Sequence, residues 1–215
     1  MSHEIKEFKT AGVSGFLHLP AVPNGDGVAL THGAGGNCRM PLLLSAAHAL
    51  AGAGFAVLRY DLPFRQKRPT GPPSGNGAAD RDGVAAAAEA LRTTIGGRVI
   101  LSGQSYGGRQ STLLSSERPD VACALLLFSY PLHPPGKPDQ LRTAHFPALR
   151  VPALFVQGTK DPFGSPEEMQ GAIRAIPAAS ALSLVDGAGH DLKRGKFDFE
   201  TLVLHPLREL GIAAY

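Results

Sequence analysis

The fold of this chain is decided by the stretch RVILSGQSYGGRQSTLL at residues 98–114. The apolar run at 98–101 is typical of a buried strand, and the residues from 109 onward are typical of a helix. Between them lies the pentapeptide Gly103-Gln104-Ser105-Tyr106-Gly107. A sharp turn from strand to helix strains the backbone of its central residue and leaves room only for small flanking residues. The pattern therefore predicts that the hydroxyl of Ser105 projects from the sheet.

Two more candidate catalytic groups follow predicted strands later in the chain. Residues 151–157 are typical of a buried strand, and Asp161 lies in the turn that follows it. Residues 181–185 are the next predicted strand, and the glycine-rich loop 186–190 ends on His190. The order serine, acid, histidine is that of the alpha/beta-hydrolases and differs from the orders of the chymotrypsin and subtilisin types.

These three residue types together can cleave a carbonyl compound. A serine hydroxyl barely ionises at neutral pH, so an imidazole must accept its proton during attack and return it to the leaving group. A carboxylate fixes the tautomer of that imidazole and stabilises its charged form. We therefore predict Ser105 as nucleophile, His190 as base and Asp161 as acid. Asp186 and Asp191 are alternative acids, although both lie in the histidine loop. A simpler interpretation of Asp161 is that it caps the following helix or holds its own turn.

The tetrahedral intermediate also requires backbone N–H donors. The N–H of Tyr106, at the start of the predicted helix, can supply the first. We expect the second from the loop 33–37, which follows a predicted strand, with Ala34 as the first choice and Gly35 as the second. His32 opens this loop, and we expect it to order the loop through hydrogen bonds and not to transfer a proton.

Two loops are expected to form the walls of a substrate pocket, the turn at 62–64 and the segment 130–137. Arg109, just past the serine turn, is suited to bind a substrate carboxylate or to pair with a structural carboxylate, for which Asp80 and Asp82 are candidates. The predicted substrate-binding residues are Phe64, Tyr130, His133 and Arg109.

Four blocks of sequence, spread over most of the chain, support a closer comparison. They are THGAGG at 31–36, SYGGR at 105–109, YPLHPPGKP at 130–138 and GTKDPFG at 158–164. With them the chain resembles the alpha/beta-hydrolases, and more closely the hydrolase-like family typified by testis-expressed protein thirty and the third NSL-complex subunit. The resemblance implies the fold and the positions of the three catalytic residues. The chain departs from that family at Tyr106, where methionine is frequent. It also differs from the neighbouring dienelactone hydrolases, whose nucleophile is a cysteine where this chain has Ser105.

Length and composition predict one domain over residues 1–215, because 43% of the residues are hydrophobic and a chain of this length can bury a core. Alternating strands and helices predict a doubly wound, mostly parallel sheet with helices on both faces. The predicted helices are Pro41–Ala51, Ala78–Thr94, Arg109–Ser116, Pro166–Ile176 and Asp198–Leu210. Only about twenty residues separate Phe128 from Val151, too few for a large lid domain, so we expect a shallow, exposed site.

Charge and motifs argue against several other classes. The formal net charge is +3, and basic residues cluster only at Arg65, Lys67 and Arg68, in a loop that we expect to be solvated, so no nucleic-acid partner is predicted. The first ten residues hold no apolar signal region, and no run reaches membrane-span length, so we expect a cytoplasmic protein without a membrane partner. No metal or phosphate-loop motif occurs, so no metal and no cofactor is expected.

The sequence thus supports two hypotheses. The first is a cofactor-free serine hydrolase that cleaves a small ester or thioester through an acyl-enzyme intermediate, with amides, carbon-carbon bonds and peresters left open as substrates. The second is a non-catalytic protein-interaction module that keeps the hydrolase fold. A homodimer is left open in both cases. Reactivity of Ser105 distinguishes the two hypotheses.

Overall fold

Eight strands form one sheet in the computed structural model, which describes residues 3–212. The strands are β1 (Glu4–Thr10), β2 (Val13–Leu19), β3 (Gly27–Thr31), β4 (Ala56–Tyr60), β5 (Val99–Gln104), β6 (Ala124–Phe128), β7 (Ala153–Gly158) and β8 (Ser180–Val185). They lie in the order β1-β2-β4-β3-β5-β6-β7-β8. The pairs β1–β2 and β2–β4 are antiparallel, and all other pairs are parallel. The predicted mostly parallel sheet is confirmed.

The helices are close to those predicted, with differences at their ends. They are α1 (Pro41–Gly52), α2 (Pro63–Lys67), α3 (Ala78–Ile95), α4 (Tyr106–Glu117), α5 (Pro166–Ile173) and α6 (His205–Glu209). The helix predicted from Arg109 begins three residues earlier, directly after Ser105. The helix predicted over 198–210 is instead a π-helical turn, Glu200–Leu204, followed by α6. Pro206 explains this break, because proline lacks an N–H and its ring clashes with the carbonyl one turn earlier.

The sheet is buried on both faces, which explains why its central strands are almost continuously apolar. Val99 and Leu101 of β5 face a core that also contains apolar residues of α3, α4 and α5. Ile100, between them, faces the opposite core, which contains residues of α1 and α6. Successive residues of a strand point to opposite faces, so one apolar run supplies both cores.

The carboxyl ends of the parallel strands meet at one edge of the sheet, which is where ligands bind in open sheets of this kind. The segments that follow β3, β5, β7 and β8 begin at this edge and carry His32, Ser105, Asp161 and His190. The topology therefore gathers the predicted site residues from positions up to 158 residues apart in the chain.

Little structure covers this edge. Between β6 and β7 the chain forms one short 3₁₀ helix, Phe146–Ala148, and no lid domain lies within the described residues. None of the described helices is long and apolar enough to span a membrane. The two cysteines, Cys38 and Cys123, are both unpaired. Because no lid domain lies over it within the described residues, the edge that carries the predicted site residues is open, as expected.

Candidate active site

Ser105 occupies the sharp turn between β5 and α4. Its φ of 50° and ψ of −114° lie in a region that costs a non-glycine residue about 1–3 kcal/mol. Its N–H donates a 2.9 Å hydrogen bond to the carbonyl oxygen of Phe128. A Cβ atom on Gly107 would lie 2.6 Å from the carbonyl oxygen of His32, and one on Gly103 would lie 2.6 Å from the carbonyl carbon of Gly107. The predicted need for glycine on both sides of the turn is confirmed.

Ser105, His190 and Asp161 are hydrogen-bonded in series. The Nε2 atom of His190 lies 2.8 Å from Oγ of Ser105, and its Nδ1 atom lies 2.8 and 3.0 Å from the two carboxylate oxygens of Asp161. Asp161 is buried, and its oxygens also accept the N–H of Phe163 and the side-chain amide of Gln157, both at 2.9 Å. A carboxylate can only accept, so it places the imidazole proton on Nδ1 and leaves Nε2 free to accept the serine proton.

The alternative acids are not in place to do this. The side chains of Asp186 and Asp191 are exposed, and within residues 3–212 neither carboxylate is hydrogen-bonded to an imidazole. The simpler interpretation of Asp161 as a helix cap also fails, since α5 is capped by Ser165, whose side chain accepts the N–H of the third helical residue. Of the three candidate acids, only Asp161 has its carboxylate hydrogen-bonded to the imidazole of His190.

The imidazole is held from several sides. The ring of Phe163 stacks on that of His190, with centroids 4.1 Å apart and an angle of 28° between the planes. The N–H of Lys160 donates a 2.8 Å hydrogen bond to the carbonyl of Ala188, which ties the histidine loop to the turn after β7. Phe163 was not predicted as a site residue, although it lies two positions after Asp161 within a block that the family resemblance had singled out.

The loop after β3 lies against the nucleophile. A Cβ atom on Gly33 would be 3.4 Å from the Cβ of Ser105. His32 is fully buried, and its Nε2 accepts the N–H of Leu62 at 3.1 Å, so its Nδ1 carries the proton and donates to the carbonyl of Gly33 at 2.8 Å. Burial lowers the pKa of His32 and keeps it neutral. The expected role of His32 in ordering the loop is confirmed, and the N–H of Ala34 has no partner among the described residues.

Arg65 has a different place from the one predicted. Its side chain is buried in α2 and not in a solvated loop, because its guanidinium reaches backbone carbonyls that replace water. It donates to the carbonyl oxygens of Gly36 at 2.7 Å and Ala34 at 2.9 Å. Lys67 and Arg68 are exposed, as expected. Arg65 therefore holds the loop that carries the candidate oxyanion donor. The sequence shows only that Arg65 belongs to a small basic cluster and gives no signal for this role.

The side chain of Tyr106 is anchored away from the nucleophile. Its hydroxyl donates a 2.7 Å hydrogen bond to buried Asp80, whose other oxygen accepts the N–H of Phe64 at 3.0 Å. Burial raises the pKa of Tyr106, so the phenol is not available as an acid or base near neutral pH. The expected pairing of Arg109 with Asp80 or Asp82 is wrong, because Asp80 serves these two donors and Asp82 is exposed without an ion pair in the described part of the chain.

Three of the predicted substrate-binding side chains are buried. Tyr130 is fully buried, packs against two phenylalanines, and donates its hydroxyl to the carbonyl of Arg142 at 2.8 Å. His133 lies 3.3 Å from the carboxylate of Glu168, and a hydrogen bond to the next carbonyl raises its pKa. Phe64 is 8% exposed. For Tyr130 and His133 these placements correct the prediction, because both rings are buried within the loop. Phe64, in contrast, borders a small cleft of about 160 Å³.

A cleft that was not predicted is lined by residues next to Ser105 and His190 in the chain. Its volume is about 380 Å³, and it borders Gln104, which precedes the nucleophile, and Leu192, which follows the histidine loop. Its remaining lining is mostly apolar and includes Met40, Leu42, Phe197 and Phe199. Such a cleft suits an apolar group of a substrate held next to the serine.

One cluster of three histidines has the spacing of a metal site but not its hydrogen bonding. One ring nitrogen from each of His3, His18 and His48 lies within 4.8 Å of the others. Arg59 donates from Nε to Nε2 of His18 at 2.8 Å, so Nδ1 of His18 carries the proton and faces Nε2 of His3 at 3.0 Å. A metal ligand needs a free lone pair, which this arrangement does not leave on His18. These three rings, from the residue before β1, from β2 and from α1, form a hydrogen-bonded packing feature.

Comparison with known proteins agrees with this fold. An alpha/beta hydrolase domain family matches residues 25–203. Among named relatives, ABHD14B from Rattus norvegicus, named as a candidate protein-lysine deacylase, is 29% identical over 171 residues, which cover 78% of this chain and 76% of the relative.

Two solved structures show the likeness of fold. XC6422 from Xanthomonas campestris, a serine hydrolase without a lid, is 18% identical with a TM-score of 0.71 and covers 97% of this chain and 95% of its own. Dienelactone hydrolase from Anabaena variabilis is 19% identical with a TM-score of 0.68, covering 98% and 95%. The narrower resemblance to the testis-expressed and NSL-subunit family stays a prediction. Since the family match spans most of the chain and the fold agrees with it, the chain belongs to the alpha/beta-hydrolases.

Proposed function

We propose that this protein is a serine hydrolase that cleaves a small ester or thioester through an acyl-enzyme intermediate. The observation that carries the proposal is the uninterrupted hydrogen-bonded series from Oγ of Ser105 through His190 to buried Asp161. The strained turn that presents the serine also supports the proposal, because strained backbone conformations of this kind are concentrated at active sites.

The steps follow from the positions of the atoms. Oγ of Ser105 attacks the carbonyl carbon while Nε2 of His190 takes its proton, and Asp161 stabilises the imidazolium. The developing oxyanion is held by the N–H groups of Tyr106 and Ala34, each worth about 3 kcal/mol in related chemistry. The imidazolium then returns the proton to the leaving group, which departs. In the second half of the reaction a water molecule attacks the acyl-enzyme while His190 takes its proton, and that proton passes to Oγ of Ser105 as the acid product is released.

The substrate class is supported by the surroundings of the serine. The open edge of the sheet admits substrates without movement of a lid, and the apolar cleft that borders Gln104 suits a short acyl chain. The name of the rat relative refers to removal of acyl groups from lysine, an amide substrate that needs the same nucleophile and oxyanion donors. An acylated lysine peptide therefore belongs beside esters and thioesters in the substrate panel.

Intact-mass labelling with a fluorophosphonate tests the proposal without knowledge of the substrate. We expect one adduct on the wild-type chain, its loss in Ser105→Ala and His190→Ala, and its retention in Ser74→Ala, which removes an exposed loop serine. Labelled protein justifies a panel of p-nitrophenyl esters of increasing acyl length. A folded wild-type chain that takes no label would contradict the proposal and favour the non-catalytic interaction module.

A further inference from the structure

Arg109 lies one turn beyond the nucleophile and has an unused hydrogen-bond donor. Its backbone N–H donates to the carbonyl of Ser105 at 2.9 Å, which places it in the first turn of α4. Its side-chain Nε is buried and has no hydrogen-bond partner within the described residues. A buried donor without an acceptor is unfavourable and uncommon, and an acceptor supplied by a ligand would satisfy it.

A second arginine shares this region. Arg142 lies three residues before His145, whose ring is 2.8 Å from the hydroxyl oxygen of Thr112 on the same helix as Arg109. Burial and the positive charge of Arg109 both lower the pKa of Arg142. Neither arginine forms an ion pair with a carboxylate among the described residues. Two neighbouring cations without a counter-ion repel each other and create a positive potential beside the nucleophile.

Two titratable groups that interact with the arginines, His145 and Tyr130, add no negative charge. Burial, and then the charge of Arg109, lower the pKa of His145 to about 4, so His145 is neutral at pH 7. Burial raises the pKa of Tyr130 to about 12, so its phenol is neutral as well. His145 and Tyr130 therefore do not compensate the positive charge of Arg109 and Arg142, and the carboxylate of Asp80 is already hydrogen-bonded to the hydroxyl of Tyr106 and the N–H of Phe64.

Hydrogen bonds hold the second arginine's loop against α4. The hydroxyl of Tyr130 donates to the carbonyl of Arg142 at 2.8 Å, and the N–H of Arg142 donates to the carbonyl of Leu132 at 2.8 Å. His145 is 2.8 Å from the hydroxyl oxygen of Thr112, which lies one turn after Arg109. Both arginines are partly exposed and start from ordered backbone. A site held in this way needs little reorganisation to bind a ligand.

We propose that Arg109 and Arg142 form an anion subsite that receives a carboxylate or phosphate group of the substrate while Ser105 attacks its acyl carbon. Guanidinium groups bind such anions through paired, charge-assisted hydrogen bonds. The substrate class is then an ester or thioester that carries a negative charge near the scissile bond. The assignment of a substrate rests on the proposed function, whereas the binding of an anion at this place does not.

A pair of matched esters tests the specificity. The mono-p-nitrophenyl ester of glutaric acid carries a carboxylate, and its methyl ester has nearly the same shape without the charge. We expect kcat/KM to favour the anionic ester, and we expect Arg109→Gln and Arg142→Gln each to reduce that preference about 10- to 100-fold. Arg118→Gln, an exposed position on the residue after α4, is the control and should keep the wild-type preference. Equal preference in wild type and both variants would overturn the proposal.

Anion binding without turnover separates this proposal from the proposed function. We expect glutarate or inorganic phosphate to raise the unfolding temperature of the wild type and of Ser105→Ala, and to do so much less for Arg109→Gln and Arg142→Gln. The anion with the larger effect tells a carboxylate site from a phosphate site. A rise with no fluorophosphonate adduct would leave the subsite standing and reject the hydrolase. No rise, or a rise that survives both arginine variants, would reject the subsite even if Ser105 is labelled.

Discussion

The buried guanidinium of Arg65 donates a 2.9 Å hydrogen bond to the carbonyl oxygen of Ala34, the residue whose N–H we propose as an oxyanion donor. A second bond from the same side chain, to the carbonyl of Gly36 at 2.7 Å, fixes the orientation of the loop on either side of Gly35. Oxyanion donors are effective because they are oriented before the reaction begins. Arg65 therefore acts as a positioning residue for the proposed chemistry.

Replacement of this guanidinium should lower the rate of the chemical step. A lysine at position 65 cannot reach both carbonyls, so we expect Arg65→Lys to lower kcat about tenfold or more with little change in KM, since the oxyanion forms only in the transition state. Lys67→Met, an exposed position in the same helix, is the matched control. Steady-state kinetics on p-nitrophenyl acetate would measure both, and a variant that changes KM alone would argue against the positioning role.

The choice of Asp161 as acid can be tested against Asp186. In Asp161→Asn an amide N–H would face Nδ1 of His190 and favour the wrong tautomer, so we expect a fall in kcat of about 10⁴-fold. Asp186→Asn removes an exposed carboxylate that has no contact with the imidazole, and its rate should equal that of the wild type. Stopped-flow release of p-nitrophenol would show both results. The reverse ranking of the two variants would assign the acid to the histidine loop.

Substitution of alanine for glycine should have opposite effects on stability at Gly107, in the turn at the nucleophile, and at Gly171, in α5. A Cβ atom on Gly107 would lie 2.6 Å from a backbone oxygen, so Gly107→Ala should destabilise the fold by about 1–3 kcal/mol. A Cβ atom on Gly171, in α5, would meet no atom within 4 Å beyond its own helix, so Gly171→Ala should stabilise by about 0.5–1 kcal/mol. Urea unfolding at pH 7 would measure both. Similar urea midpoints for the two variants would show that the turn at Ser105 is not closely packed.

The buried histidine of β2 predicts a dependence of stability on pH. Burial first, and then the charge of Arg59, lower the pKa of His18 from 6.5 to about 3. Between these values the unfolded chain binds a proton that the folded chain excludes, so stability falls as the pH decreases from 6.5 towards 3. His18 alone contributes up to about 1.4 kcal/mol per pH unit in this range.

The variant His18→Gln isolates this contribution, because glutamine can still accept the N–H of Arg59 but does not titrate. Urea unfolding from pH 8 to pH 4 should show a shallower loss of stability in the variant below pH 6.5. Between pH 7 and 8 the two proteins should have the same slope. Parallel curves over the whole range would mean that the pKa of His18 is the same in the folded and the unfolded chain.

The sequence by itself determined the sheet and the order of the candidate catalytic groups. Each of Ser105, Asp161 and His190 lies in a turn or loop after an apolar run, and parallel strands necessarily end at one edge, so local patterns were enough to bring the three together. The need for glycine around Ser105 was also predictable, because it depends on backbone sterics within five residues. The identity of the acid could be narrowed but not decided, since three aspartates lie near the ends of β7 and β8.

Only the tertiary structure decided the roles of the side chains that serve this site from a distance. Arg65 was interpreted as part of a solvated basic loop, and Tyr130 as a pocket wall, yet both are buried with backbone carbonyls as partners. Every residue has a carbonyl, so such a partner leaves no mark in the sequence. The placement of the loop that carries Arg142 depends in the same way on how residues 129–152 pack against α4. Packing between distant segments decided which charged side chains have partners within the described residues.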